Sequence, residues 1–598
     1  MATGTSPVSE TTDLVSLVVK VNGTEVDTVD ILRTEVVKAL NRVPYARIEI
    51  VDGSPDTEDF PISDSASFVP GNEIEILAGY HSDYSTIFKG IVIKQGIRVR
   101  SGKSSILVVE CRDTAIKMTV GKMNSYYSDV TDSDVITTLT GNHGLSATVE
   151  ATTTTYKSLV QYYSTDWDFM LARADANGQV VIISDGTVTV KKPDTSASPV
   201  LSIMYGDTLL GFEGDVDARN QYPSVQATMW DPGTQANVDV TSQSPGLAEP
   251  GNLTSSTLSS VLGLTNYALQ TPANWLSASM QSWANALMIR SVLAKSTGKV
   301  RFQGNATALP GTMLTLAGLG ARFNGNVYVT AIRHEVVDGN WLTDAEYGLP
   351  PETYAEQHPD ITSLPASGLL PGTRGLQYGV VKQIDQDPDG QYRVLVNLTA
   401  VDPAGTGIWA RLASFYATSG AGNFFYPEVD DEVILGFLND DPNFAVILGS
   451  LYSSQKTPAY TPDQTNSIKA IVSKELIKIE FDDQNKVISI LTPGNNKAIL
   501  SDQNSSITLQ DSSGNKVEMT SSGITLTSAS AISIKAQTTV TIEGGTGITL
   551  TTSGGDVKMS GLNVNASADM ALTAKGNLSA ELSASGQTTV KGAIVMIN

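Results

Sequence analysis

The last fifth of the sequence admits few folds. Residues 482–598 contain no Phe, Tyr, Trp, His, Cys or Arg, and one proline, Pro493. What remains is Ser, Thr, Gly, Asn and Ala carrying short apolar alternations. These run Ile507-Thr-Leu509, Val517-Glu-Met519, Ile524-Thr-Leu526, Ile532-Ser-Ile534, Val540-Thr-Ile542, Ile548-Thr-Leu550, Val557-Lys-Met559, Leu562-Asn-Val564 and Met570-Ala-Leu572. Their first members lie 10, 7, 8, 8, 8, 9, 5 and 8 residues apart, an imperfect octad of three or four extended residues and a turn of Gly, Ser or Asn. Strands this short, with no aromatic filler, do not make a sandwich core. Each I-x-I unit sends two aliphatic side chains to one face. A narrow β-prism filled only by Ile, Val, Leu and Met fits that pattern, because an aromatic ring has no room at so tight an axis. One thin ribbon cannot enclose its own core, so several identical chains wound together are expected. The alternative is a disordered Ser/Thr/Gly tail, which shares this composition, but periodic Ile/Val pairs are foreign to a linker. With one octad per layer at roughly 4.8 Å, the 112 residues of 487–598 hold 112/8 = 14 octads and span on the order of 65–70 Å.

The rest of the chain reads as globular. A length of 598 residues points to two to four domains. Lys plus Arg total 39 against 62 for Asp plus Glu, a net charge of −23. Such a polyanion repels phosphate backbones and anionic membrane surfaces, so nucleic acid is not expected as a partner. The single cysteine, Cys111, excludes an intrachain disulfide framework and any multi-cysteine zinc site. No basic and apolar leader opens the chain and no 18-residue apolar run occurs; synthesis in the cytoplasm without a signal peptide is expected. Residues 1–12 read as a flexible tail. From Asp13 the pattern is mostly β, with strands such as LVSLVVKV, RIEIV, EIEIL, IFKGIVIKQGIRVR and SSILVVEC. Three helices interrupt: one with Ser133 as its cap, one ending at Gly178, and a longer one running from Asn274 to Gly298. Residues 13–362 are read as an α+β hub of two β subdomains plus helices. A Pro/Gly-rich linker follows at 363–375. Five short strands within 376–455, the first two joined by a tight DPDG turn at 387–390, suit a small closed barrel of the OB type. A connector at 456–475 leads to the needle at 476–598.

No catalytic constellation is visible. GxSxG and the GxxxxGK[ST] phosphate loop are absent. His334-Glu335 opens like HExxH, but position 338 is Asp, so the metal reading fails and His334 is an ordinary strand residue. The acids at Asp430-Asp431-Glu432 and Asp440-Asp441 are adjacent turn residues, not a pair facing across a cleft. Cys111 closes a strand and reads as buried, and His143 as a turn residue.

The barrel region carries the most specific pattern. GVVKQIDQDPDGQYRVLV supplies Asp387, Gly390, Arg393, Val394 and Val396, and Trp409-Ala-Arg411 forms a W-x-R. PEVDDEVILGFLNDDPNFAVILGSLY supplies Pro427, Glu428, Glu432, Val433, Gly436, Phe437, Pro442, Gly449, Ser450, Leu451 and Tyr452. In these residues the chain resembles the VgrG family, trimeric spike proteins of type VI secretion and related contractile systems, equivalent to the fused hub and needle of myophage baseplates. It departs at Asp430, where glycine is usual, a change confined to a turn. STDWDFMLARADANGQVVIISDGTVTV (164–190) resembles the family's helix-then-hairpin stretch in the hub.

The resemblance implies a mainly β homotrimer: a hub, an OB-fold barrel and an intertwined β-helical needle. It implies inner tube and baseplate proteins as partners at the hub end, with effector cargo and transient contact with a target membrane. Neither a lysozyme-like insertion nor an effector extension is recognisable, so the expectation is an unarmed, non-enzymatic spike without cofactor. No histidine follows His358, so the metal-holding cluster of some needle tips is missing. A separate PAAR-repeat tip protein is then expected on Ile594, Val595, Met596, Ile597 and Asn598. An extracellular phage-tail-like particle is the expected machine, ahead of membrane-anchored type VI secretion and a phage baseplate. The rival from another class is a β-helical, polysaccharide-degrading tailspike enzyme, which the aromatic-free rod disfavours. A plain adhesin leaves the barrel motif unexplained.

Overall fold

The computed structural model describes residues 4–8, 14–27 and 29–597. They fall into two units, 1–451 and 452–598.

The first unit is built on β-branched alternation. Strands β1 (Ser16–Val21), β2 (Ile31–Ala39), β3 (Tyr45–Val51), β4 (Glu73–Tyr80), β5 (Asp83–Arg98) and β6 (Ile106–Arg112) come from the first part of the chain. Then follow helices α1 (Asp132–Asn142) and α2 (Asp166–Ala176), β7 (Val180–Ser184), β8 (Leu209–Val216) and α3 (Ser277–Ala294). The hub closes with β9 (Ser296–Gln303), β10 (Gly325–Val337), β11 (Asn340–Tyr347) and the short α4 (Tyr354–Gln357). One thirteen-stranded sheet has the main path β8-β9-β11-β10-β2-β3-β6-β5-β4-β1, ending on the two-residue strand Thr24–Glu25. The two β regions of the hub keep separate cores, one around Ile48, Ile76 and Phe88 and one around Phe302, Leu314 and Ile332. The β10–β2 pairing, with His334 opposite Val36, joins them. A third core, around Ile136, Trp167 and Met170, packs α1 and α2, while α3 contributes Ile289 and Leu293 to one further cluster and Met280 and Ala284 to another. Residues 4–8, read as part of a flexible tail, lie on this unit: Thr5 bridges Leu201, and Asn305 donates to the Pro7 carbonyl. Residues 9–13 are outside the described range.

Two helix boundaries differ from the sequence expectation. The cap of α1 is Thr131, not Ser133, because Asp134 at the third position reciprocates its hydrogen bond in a capping box. Ser133 instead engages Thr152. Helix α3 stops at Ala294, four residues before Gly298. Gly298 lies inside β9, opposite Gly214 and Tyr347, where a Cβ would fall 2.4 Å from the Glu213 carbonyl oxygen. The glycine serves close strand approach rather than helix termination. At α2 the expectation stands: Gly178 follows the helix in the left-handed region, φ +67°. Cys111 is buried in β6, its thiol pushed up to about 12 by burial. His334 is fully buried and its pKa is lowered to about 3, by desolvation first and the Lys38 charge second.

The barrel closes within the same unit. Strands β12 (Gln377–Gln383), β13 (Val394–Asn397), β14 (Ile408–Leu412), β15 (Glu432–Phe437) and β16 (Ala445–Ser450) pair in the order β12-β13-β14-β16-β15. Val381, Val394, Val396, Val433, Leu435 and Ile447 fill it. The 363–375 segment runs against the barrel, with Asn439 donating to Ser367 and Thr373 N–H to the Asp440 carbonyl.

The second unit is an antiparallel meander: β17 (Ile468–Val472), β18 (Lys478–Asp482), β19 (Val487–Leu491), β20 (Lys497–Ser501), β21 (Ser506–Gln510), β22 (Lys516–Thr520) and β23 (Gly523–Thr527). Residues 528–597 carry no strand in a single chain.

Candidate functional site: a bare apolar face on the C-terminal sheet

Registry in the meander sorts its side chains into two faces. Cross-strand partners share a face, and one column runs Ile471, Ile479, Ile490, Ala498, Leu509, Val517, Leu526. The second runs Phe481, Ile488, Leu500, Ile507, Met519, Ile524. The opposite face carries Lys478, Glu480, Lys497, Thr508, Lys516 and Glu518, together with the half-buried Val472, Val487, Leu491 and Ile499. There Tyr460 of the connector donates to Glu480 and lies under the Lys478 ammonium, 5.5 Å from the ring centre. Lys478 and then Tyr460 hold the Glu480 carboxyl below its ordinary value. The apolar columns have no such cover.

Apart from the half-buried Val517, every large apolar side chain of these two columns is substantially exposed, from 38% at Ile479 to 69% at Ile524. The octads beyond are barer still. Ile532, Ile534, Val540, Ile542, Ile548, Leu550, Val557 and Met559 are between 49% and 73% exposed. Among the described residues of 452–597, no apolar side chain is buried. A sheet of this kind gains about 1 kcal/mol for each half-exposed aliphatic chain it covers, and alone it covers none. Ile594, Val595, Met596 and Ile597, expected from the sequence to form the tip, are exposed at 82%, 47%, 82% and 91%, and Asn598 lies outside the described residues.

The barrel residues singled out in the sequence divide by role. Asp387 organises the β12–β13 connection. It accepts backbone N–H bonds from Asp389, Gln391 and Arg393 at 3.2, 2.8 and 3.1 Å, and Arg393 Nη2 meets its Oδ1 at 2.6 Å. The guanidinium holds its carboxyl well below the usual carboxylate range. Gly390 turns at φ +63°. The connection is longer than the tight hairpin expected: residues 384–393 intervene, and the DPDG turn sits within them because Arg393 folds back on Asp387. Trp409 and Arg411 lie in β14, half-buried and exposed respectively. Pro427 is buried and Glu428 exposed ahead of β15, which contains Glu432, Gly436 and Phe437. Pro442 lies between β15 and β16, and Gly449 in β16 pairs with Ile434. These residues build one barrel; they do not converge on a cleft. Not anticipated from the sequence is a small hairpin, Ala417–Thr418 with Ala421–Gly422, flanked by exposed Phe415, Tyr416, Phe424 and Phe425. The aromatic pairs on either side of a glycine-rich turn were its signal.

Among the described residues, no group of three or more His, Cys, Asp and Glu side chains is arranged to hold a metal ion, and no helix is long and apolar enough to cross a membrane.

Comparison with known proteins gives three family matches along the chain. Residues 11–338 match the Alg8 N-terminal domain. Residues 377–452 match the type VI secretion system/phage-baseplate injector OB domain, and residues 487–546 the phage baseplate V C-terminal trimerisation domain. No curated protein matches the sequence. Similar solved structures include the 43 kDa tail protein of prophage MuSo2 from Shewanella oneidensis, at 13% identity and a TM-score of 0.42, covering 56% of this chain and 99% of that one. The E. coli c3393 protein, a component of the type VI secretion system, has 13% identity and a TM-score of 0.38, covering 72% and 99%. The Francisella PdpA–VgrG complex has 11% identity and a TM-score of 0.35, covering 86% and 80%. The first of the family matches spans more than half of the chain, and the other two fall on the barrel and the bare-faced sheet. The chain therefore belongs to the Alg8 N-terminal domain family, and its barrel and C-terminal sheet are similar to the injector OB and trimerisation domains of VgrG-like spikes.

Proposed function

We propose that three copies of this chain assemble into the non-enzymatic central spike of a contractile injection system. The observation that carries the reading is the C-terminal unit without one buried apolar side chain among its described residues, in a region that matches a trimerisation domain. Two further copies would cover the apolar columns and recruit the octads of 528–597 into a needle. In this reading residues 13–362 are the hub, seated beneath the inner tube and baseplate; 363–375 link it to the barrel at 376–455; and 456–475 lead into the needle at 476–598. The needle would concentrate contraction force on a small area of target membrane. Bending it would break many backbone hydrogen bonds together, which suits that load. A PAAR-type tip protein would dock on Ile594, Val595, Met596 and Ile597, whose exposed apolar ends suit a cap. The particle would be phage-tail-like and released from the cell, with type VI secretion or a phage baseplate as the second setting.

Negative-stain electron microscopy of the full-length protein tests this. Class averages should show a three-fold head bearing one thin needle; single globular particles with floppy tails would contradict the assembly. For the tip, removing the last octad, residues 591–598, should abolish binding of a PAAR-type protein, and unchanged binding by the truncated trimer would remove the tip assignment.

A further inference from the structure

A second feature lies in the hub and owes nothing to the trimer reading. At the turn between β2 and β3 a groove of about 460 Å³ opens. Arg42, Arg112 and His358 line it, with Tyr45, Trp167 and Tyr354 as aromatic walls. In a chain with 62 acidic residues, none lines this groove. The acids nearest Arg112 in sequence are engaged elsewhere: Glu110 lies 3.8 Å from Lys94, and Asp113 accepts from the Ala115 and Gly186 N–H groups. Among the described residues, neither Arg42 nor Arg112 has a carboxylate partner. Arg112 stacks over the Tyr45 ring at 4.9 Å.

The groove is held in place. Asn41 takes a left-handed conformation at φ +58° and exchanges two 2.8 Å hydrogen bonds with the Val181 backbone, which fixes the position of Arg42. Tyr354 donates its hydroxyl to Asp168 and its N–H to Asp175, each at 2.8 Å, and stacks on His358. Two guanidiniums on a fixed frame suit carboxylates, which accept their paired N–H groups in one plane.

We infer that this groove binds an acidic, extended segment of a partner protein through Arg42 and Arg112. Extension follows from the neighbouring cleft of about 640 Å³, which shares Val37, Ala39, Asn41, Arg42, Tyr354 and His358 with it. That cleft also carries Glu213, Asp215 and Glu346 around a single cation, Lys299, which is itself 3.2 Å from Asp344. A long polyanion such as nucleic acid would run on to those acids and be repelled, whereas a short acidic segment held at the arginine end would not reach them.

The test is fluorescence anisotropy of labelled hexaglutamate titrated with the full-length protein at low salt. Hexaglutamate should bind, and added salt should weaken it. Arg42→Glu combined with Arg112→Gln should weaken binding at least tenfold. The exposed single change Arg42→Ala, which leaves the frame intact, should weaken it about threefold. Arg100→Glu, in another basic segment, should leave it unchanged. No binding of hexaglutamate, equal binding by the double variant, loss on Arg100→Glu, or tighter binding of a phosphate hexamer would each overturn the assignment.

Discussion

Asp430 sits at φ +69°, in the left-handed region that an L side chain occupies only at a cost. Its N–H reaches the Val381 carbonyl at 2.9 Å, so the turn cannot relax without loosening the closure of β15 on β12. This explains why glycine is the usual residue in the related barrel pattern, a departure legible in the sequence although its backbone cause was not. Asp430→Gly should stabilise the barrel by about 0.5 kcal/mol, strain relief outweighing the added freedom of the unfolded chain. Slower hydrogen exchange in β12 and β15 would register the gain. Asp387 predicts a pH dependence. Its folded pKa is depressed, chiefly by the Arg393 guanidinium, so its contribution is complete above the ordinary carboxylate range. The contribution is lost as pH falls through that range toward the lower folded value. Asp387→Asn should flatten the acid limb of barrel stability, read as exchange in β12 and β13 against pH.

At the level of elements, the sequence displayed periodicity better than boundaries. The barrel strands and the end of α2 follow from alternation and a glycine. The end of α3 does not, because β9 captures residues from Ser296 onward through pairing with β8 and β11, partners remote in sequence. The meander was hidden for a related reason. Its strands from 478 onward begin at 478, 487, 497, 506, 516 and 523, close enough to an octad to be read with the later repeats, whereas the first, at 468, falls within the stretch read as a connector. Helix packing rests on one buried cluster that periodicity cannot reveal. Arg290 of α3 donates to Asp175 of α2 and to the Pro350 and Glu352 carbonyls, while Asp175 accepts the Tyr354 N–H. Arg290→Ala leaves Asp175 buried without its cation and should cost about 3 kcal/mol, seen as a lower denaturation midpoint of the hub. On the C-terminal sheet, Ile490→Asp with Leu509→Asp places charges in one apolar column. That variant should leave hub and barrel folded by circular dichroism and near-native exchange, yet prevent association.

For the whole molecule, the composition of residues 482–598 already implied that one chain cannot complete its own core. The structure gives that implication a surface: two apolar columns with nothing over them, and Ile594, Val595, Met596 and Ile597 left in solvent. What composition could not display was which face would be left bare, since that depends on strand registry. Each chain carries −23 charges before assembly, which disfavours non-specific aggregation of so apolar a face, and three copies would carry 3 × (−23) = −69, which favours solubility of the assembly. The most direct measurement is the mass of the full-length protein by mass photometry at nanomolar concentration. The account predicts a single species near 3 × 63.3 = 189.9 kDa, collapsing to the protomer mass in the Ile490→Asp, Leu509→Asp variant. A wild-type protein that stays at 63.3 kDa would contradict it.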